Sequence, residues 1–198
     1  NYLMGKINRT AILSGILIGI GVIINTFSQN KYIGAMLFAF ALLTIIKLQL
    51  QLFTGQIGYF TEKRFNLKEY ALMLLFNFAG VALCTFLALM TKSDTDYNLM
   101  IEISNQKFAR SYVELLICGL LCGALMLIAV YAKDTVIVVF CIMIFILSGY
   151  EHCVADFPFL LLNLSVENLI KFLLIVLGNS VGSILTYLLI EKRKMISQ

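Results

Sequence analysis

The chain has one histidine, one proline and few charges. Only 13% of its 198 residues are Asp, Glu, Lys or Arg, where a soluble domain carries roughly 25%. With 61% of the residues hydrophobic, a soluble fold has no way to cover so much apolar surface. The cysteines, Cys84, Cys118, Cys122, Cys141 and Cys153, make no CxxC pair, and His152 has no second histidine beside it. That leaves no metal-ligand set, and the thiols read as reduced and packed. No cofactor is implied. Glu151 and His152 could be an acid and base of an intramembrane enzyme, but no nucleophile, metal set or cofactor motif accompanies them. The net charge of +4 does not point to nucleic acid, because the basic residues are scattered at the ends of apolar runs, where snorkelling and orientation account for them.

What the chain does have is long apolar runs, near residues 10–27, 35–60, 70–91, 111–131, 135–163 and 168–190. A helix crosses the hydrocarbon layer with about 20 residues, so these runs predict six spans in a lipid bilayer and a single membrane domain over 1–198. An even number of spans puts both termini on one side. Lys6, Arg9, Lys63, Arg64, Lys68, Lys133, Lys192, Arg193 and Lys194 share that side, against Lys31, Lys92, Lys107 and Arg110 on the other. The excess predicts cytoplasmic termini, in a bacterial-type inner membrane.

The chain also repeats itself. Gly15, Gly19 and Gly21 in the first run are matched by Gly119 and Gly123 in the fourth, small residues that let helix backbones approach. Asn77 and Gly80 in the third run share their N-x-x-G spacing with Asn179 and Gly182 in the sixth. An odd number of spans in each half, 1–91 and 111–198, makes the halves inverted relative to each other. The asparagines read more readily as interhelical hydrogen bonds than as transport residues.

The second and fifth runs are the longest, and polar residues interrupt both: KLQLQLFTGQ in one, SGYEHCVAD in the other. Interrupted helices at matching places in two repeats point to a membrane binding site. Backbone that leaves the helix there needs protein or a watery cavity around it. In the first break Gly55 could take a left-handed turn, Thr54 offers a hydroxyl, and Leu52 and Phe53 form an apolar plug. In the second, Ser148 and Gly149 permit a turn, and Glu151, His152 and Asp156 are placed at helical spacing. An ionisable residue at membrane depth is a functional candidate, and histidine suits protonation near neutral pH. A packing histidine is the alternative. Glu151 is expected to support the break by capping backbone amides of the facing one, and Lys47 to snorkel or pair with a carboxylate such as Asp156.

Together LFTGQ, NFAG, GYEHCVAD and LGNSVG resemble the formate/nitrite transporter family, whose members include formate, nitrite and hydrosulfide channels. The resemblance covers essentially the whole membrane core. It implies an aquaporin-like fold of six spans, with loops interrupting the second and fifth helices, and a pore through each protomer of a homopentamer. It places the pore threonine on Thr54, the central histidine on His152 and a vestibule lysine on Lys107, with apolar constrictions at Leu42, Leu52, Phe53 and Phe145. Two positions depart from the family pattern. The fourth-span pore asparagine is Gly123, which removes a polar contact and could widen that constriction, and the asparagine after the histidine is Asp156. The expected function is passage of a small monovalent anion of a weak acid, with His152 assisting by hydrogen bonding or proton donation. A channel for water or a small neutral solute is the alternative.

Overall fold

The computed structural model describes residues 2–196, and side chains from 8 to 192. The side chains of Lys6, Arg193 and Lys194, counted above for orientation, lie outside that range. The described chain is helical: α1 (Tyr2–Phe27), α2 (Lys31–Lys47), α3 (Phe53–Gln56) running into 3₁₀ turns at Ile57–Glu62, α4 (Leu67–Leu89), α5 (Asp94–Phe108), α6 (Tyr112–Ala132), α7 (Thr135–Leu147), α8 (Cys153–Leu162) and α9 (Val166–Ile196). Among the described residues four stretches are long and apolar enough to cross a membrane, Asn8–Phe27, Leu67–Leu89, Tyr112–Ala132 and Val166–Lys192. The second and fifth runs are divided instead, each into two short helices about a non-helical stretch at 48–52 and 148–152.

Packing follows the small residues. α1 lies on α4, and α6 lies on α9. A Cβ on Gly15 would stand 2.1 Å from the Asn77 carbonyl oxygen, and one on Gly123 2.2 Å from that of Asn179. No side chain larger than hydrogen fits either crossing. α2 packs on α7 between these pairs. Beyond its break each divided helix crosses over: α3 and its 3₁₀ turns pack against α6 and α9, while α8 packs against α4 and α1. The segment that follows each break thereby packs on helices distant in the sequence.

α5 was not expected from the sequence. It begins at a capping box in which Ser93 accepts from the Asp96 amide and Asp96 accepts from the Ser93 amide. That hydrogen bonding to Ser93 holds the Asp96 carboxyl below its usual range. Its buried face docks on α8, where Ser104 Oγ donates to the Phe159 carbonyl at 2.6 Å. Large apolar side chains remain on the outside, among them Phe86, Val136 and Leu189 at 64%, 61% and 71% exposure. Such a surface suits hydrocarbon rather than water, because helices satisfy their own backbone and leave only apolar groups outward.

Candidate pore site at the two helix breaks

The two breaks have nearly the same backbone. After α2 the Leu50 amide donates back to the Ile45 carbonyl at 2.9 Å, and after α7 the Tyr150 amide donates to the Phe145 carbonyl at 3.0 Å. A left-handed residue precedes each, Gln49 at φ 53° and Gly149 at φ 66°. The chain then extends, to φ −115°, ψ 123° at Leu52 and φ −114°, ψ 110° at His152, before the next helix starts.

One asparagine clamps each break. Asn77 Oδ1 accepts from the Phe53 amide at 2.8 Å, while its Nδ2 donates to the Ala11 carbonyl at 2.8 Å and the Gln51 carbonyl at 3.0 Å. Asn179 Oδ1 accepts from the Cys153 amide at 2.8 Å, and its Nδ2 donates to the Gly119 and Glu151 carbonyls, each at 2.8 Å. Both side chains are fully buried. Each satisfies a helix-start amide and one carbonyl of the break, Gln51 or Glu151, that no helix serves, and ties both to a carbonyl within α1 or α6. The asparagines read from the sequence as helix-packing residues are thus the groups that hold the breaks. The N-x-x-G spacing marked the positions but not their partners.

The breaks meet at His152 and Thr54, whose Nε2 and Oγ1 atoms lie 2.9 Å apart in the buried core. The Ala155 amide donates to His152 Nδ1 at 3.2 Å. With Nδ1 accepting, a neutral ring carries its proton on Nε2 and donates it to Thr54. The threonine hydroxyl proton is then free to point at a third group. Ser183 Oγ donates to the Gly123 carbonyl at 2.8 Å, with the Thr54 carbonyl 3.3 Å away sharing the same proton, which ties α9 to α6 and α3. Ser183 carried no signal in the sequence.

Around this pair Leu42, Leu52, Phe53 and Phe145 are all buried. The Phe145 ring centre is 6.0 Å from that of His152 and 5.7 Å from that of Phe38. On one side a cavity of about 870 Å³ opens, bordered by Gln49, Leu50, Gln51, Leu52 and Gly55 and, further out, by Tyr59 and Arg64. On the other side stands a cluster of charges. Lys107 of α5 pairs with Glu151 and, at 2.9 Å, with Asp156 Oδ1. Arg110 donates to Glu151 Oε1 and the Gly149 carbonyl, both at 2.8 Å. Its other nitrogens reach Glu114 Oε1 at 2.8 Å and Cys118 Sγ at 2.9 Å.

Several expectations change here. Gly55 is inside the α3 turn, not left-handed; that conformation falls on Gln49. Gly55 is small because a Cβ would meet Val130 Cγ2 at 2.9 Å. Gly149 does take the left-handed turn. Glu151 and His152 are extended rather than helical, and only Asp156 falls in the first turn of α8. Glu151 does not cap amides of the facing break: its side chain pairs with cations, and its backbone carbonyl is what Asn179 holds. Lys47 ends α2 exposed, where a cation suits a helix C-terminus, and the cation on Asp156 is Lys107. Gly123 is the contact of α6 with Asn179, so its small size serves close approach of the helices rather than a wider opening. Arg110, counted in the sequence only for orientation, is part of the cluster.

The arrangement is that of a helical membrane protein in which two divided helices meet at a buried polar pair between apolar side chains. Residues 3–191 match the formate/nitrite transporter family, and the chain belongs to that family. The fold is similar to that of a solved "Pentameric formate channel with formate bound", at 17% identity and a TM-score of 0.75, covering 98% of this chain and 96% of that one. It is also similar to an "FNT family ion channel", at 18% identity and a TM-score of 0.72, covering 91% of this chain and 85% of the other. No curated protein matches the sequence. The family is one of transporters, not of enzymes.

Proposed function

We propose that the protein conducts small monovalent anions of weak acids, the class of formate, nitrite and hydrosulfide, through a pore in each protomer of a homopentamer. The reading counts six crossings, with α2 plus α3 and α7 plus α8 as the two divided ones. It takes 1–91 and 111–198 as inverted halves of one aquaporin-like membrane domain with both termini cytoplasmic. The observation that carries the proposal is the His152–Thr54 pair, 2.9 Å apart where the breaks meet.

An anion entering an apolar constriction loses its hydration at a large cost unless hydrogen-bond donors replace the water. Leu42, Leu52, Phe53 and Phe145 form the dry walls. The Thr54 hydroxyl, oriented by the His152 Nε2–H, supplies a donor between them. Once His152 has taken up a proton from the aqueous side, passing one on to a weak-acid anion leaves a neutral molecule that crosses the apolar rings without the charge penalty and returns the ring to its neutral form. Gln49, Gln51 and Gln56 line the cavity on the far side and receive the rehydrating solute.

The test is uptake by liposomes holding the purified protein, with formate, nitrite and hydrosulfide offered against glycerol over a range of pH. His152→Asn is expected to keep the pentamer and to lower anion flux by roughly 10²-fold, the lower end of what a positioned acid or base contributes, with a changed pH profile. An unchanged profile removes the histidine from proton donation. Glycerol flux without anion flux overturns the anion assignment in favour of a neutral solute.

A further inference from the structure

The charge cluster between α5 and the second break has a feature the transport reading does not use. Lys107 touches two carboxylates, Glu151 and Asp156. Arg110 serves only the first of them. Glu151 and Asp156 meet on the one Lys107 ammonium, and their side chains are 3% and 5% exposed. Asp156 Oδ2 is buried and finds no hydrogen-bond donor among the described residues. An ionised oxygen without a donor, next to a second carboxylate and away from water, is costly. Two carboxylates in one buried site relieve each other by sharing a proton.

We propose that Asp156 and Glu151 hold one exchangeable proton between them, and that this proton sets the charge of the pore mouth on the α5 side. It turns the undonated Asp156 oxygen into a hydroxyl, beside the carboxylate that shares its lysine. With the proton bound, Lys107 and Arg110 face a single negative charge and the cluster carries +1. Without it the cluster is neutral. Glu114, the second carboxylate on Arg110 and half-exposed, is left out of this count; it is the same with and without the shared proton and leaves the difference of one charge unchanged. Anions are therefore drawn to this mouth at low pH and released from that attraction as pH rises. Asp156 is a positioning and specificity residue for the anion: its amide donates to the His152 carbonyl at 2.9 Å, while its side chain pairs with Lys107.

The surroundings leave few other groups to answer for such a response. α5 contributes Lys107 and the preceding turn of α6 contributes Arg110. Cys122 of α6 and Cys153 of α8 lie close enough to feel Asp156, and His152 precedes it by one helical turn. α4 and α9 turn aromatic rings to α8, Phe78 and Phe172 against Phe157. Lys171 of α9 is tied to the Phe108 carbonyl and Glu167. Arg9, the described charge of α1, is exposed.

The proposal rests on the anion reading for its consequence but not for its first test. Infrared difference spectra of the whole protein, titrated in detergent, are expected to show the carbonyl stretch of a protonated carboxyl that disappears in Asp156→Asn. A band that survives the substitution, or none in the parent protein, overturns the shared proton whether or not anything is transported. The second test compares formate uptake by Asp156→Asn and parent protein across pH. The substitution fixes the cluster at +1, so the ratio of variant to parent flux is expected near unity at low pH. It rises toward about tenfold at high pH, in the range that local fields change capture rates. The protonation of formate itself is common to both and cancels. A ratio that stays flat with pH, with the pentamer intact on sizing, overturns the charge-setting role and leaves the anion reading standing.

Discussion

The breaks at 48–52 and 148–152 share their backbone and differ in their chemistry. Each has a left-handed residue, an extended residue before the next helix, and an asparagine clamp on a helix-start amide. Yet the first is lined with glutamines and leucines and faces an open cavity, while the second buries Glu151 under Lys107 and Arg110. The backbone geometry is thus a frame that two neutral amides can sustain, and the charges of the second break are an addition to it. Gln51 and Glu151 occupy corresponding places, since each gives its carbonyl to the clamp.

The largest expected effect separates those two residues. Glu151→Ala leaves two cations without their common partner and is expected to cost about 3–5 kcal/mol, as for one member of a buried ion pair. Gln51→Ala removes a side chain whose own Oε1 is undonated and is expected to change stability by under about 1 kcal/mol. Thermal unfolding in detergent followed by circular dichroism measures both. Equal losses would mean that the second break depends no more on its charges than the first does on its amides.

Next come the clamps, where the breaks are expected to behave alike. Asn77→Ala and Asn179→Ala each remove three hydrogen bonds and leave a buried amide and a break carbonyl unpaired, a loss of about 3 kcal/mol or more at roughly 1 kcal/mol per bond. A large loss at one clamp and none at the other would dissolve the correspondence. Smallest is the effect at the left-handed residue. Gly149→Ala has open space around the new Cβ but a φ of 66°, so it is expected to cost about 1 kcal/mol. Gln49→Gly, at φ 53°, is expected to gain somewhat less than that, because glycine also loosens the unfolded chain. The same unfolding measurement, read as two shifts of opposite sign, checks the pair.

The apolar runs, the two interruptions and the matched Asn-x-x-Gly pairs were all legible, because period, length and spacing are local properties. So were Thr54 and His152 as polar residues at membrane depth, and the family pattern that joined them. α5 was passed over although Ser93 and Asp96 spell its capping box; its polar outer face gave no apolar run to notice. Lys47 draws notice as the one cation inside the second apolar run, and Asp156 is a carboxylate within the fifth. The residue that pairs with it, Lys107, is brought in by the docking of α5 on α8.

By itself, then, the sequence determined that the chain is helical, belongs in a membrane, and breaks two of its helices around a threonine and a histidine. Burial of apolar runs and the cost of unpaired backbone in hydrocarbon leave little choice. Only the tertiary structure decided who satisfies whom. Asn77 and Asn179 reach amides 24 and 26 positions away, Thr54 meets a histidine 98 positions on, and Asp156 shares its lysine with Glu151. Such partners are set by which helices cross, and a hydrogen bond a few ångströms long leaves no trace in the spacing of residues so far apart along the chain.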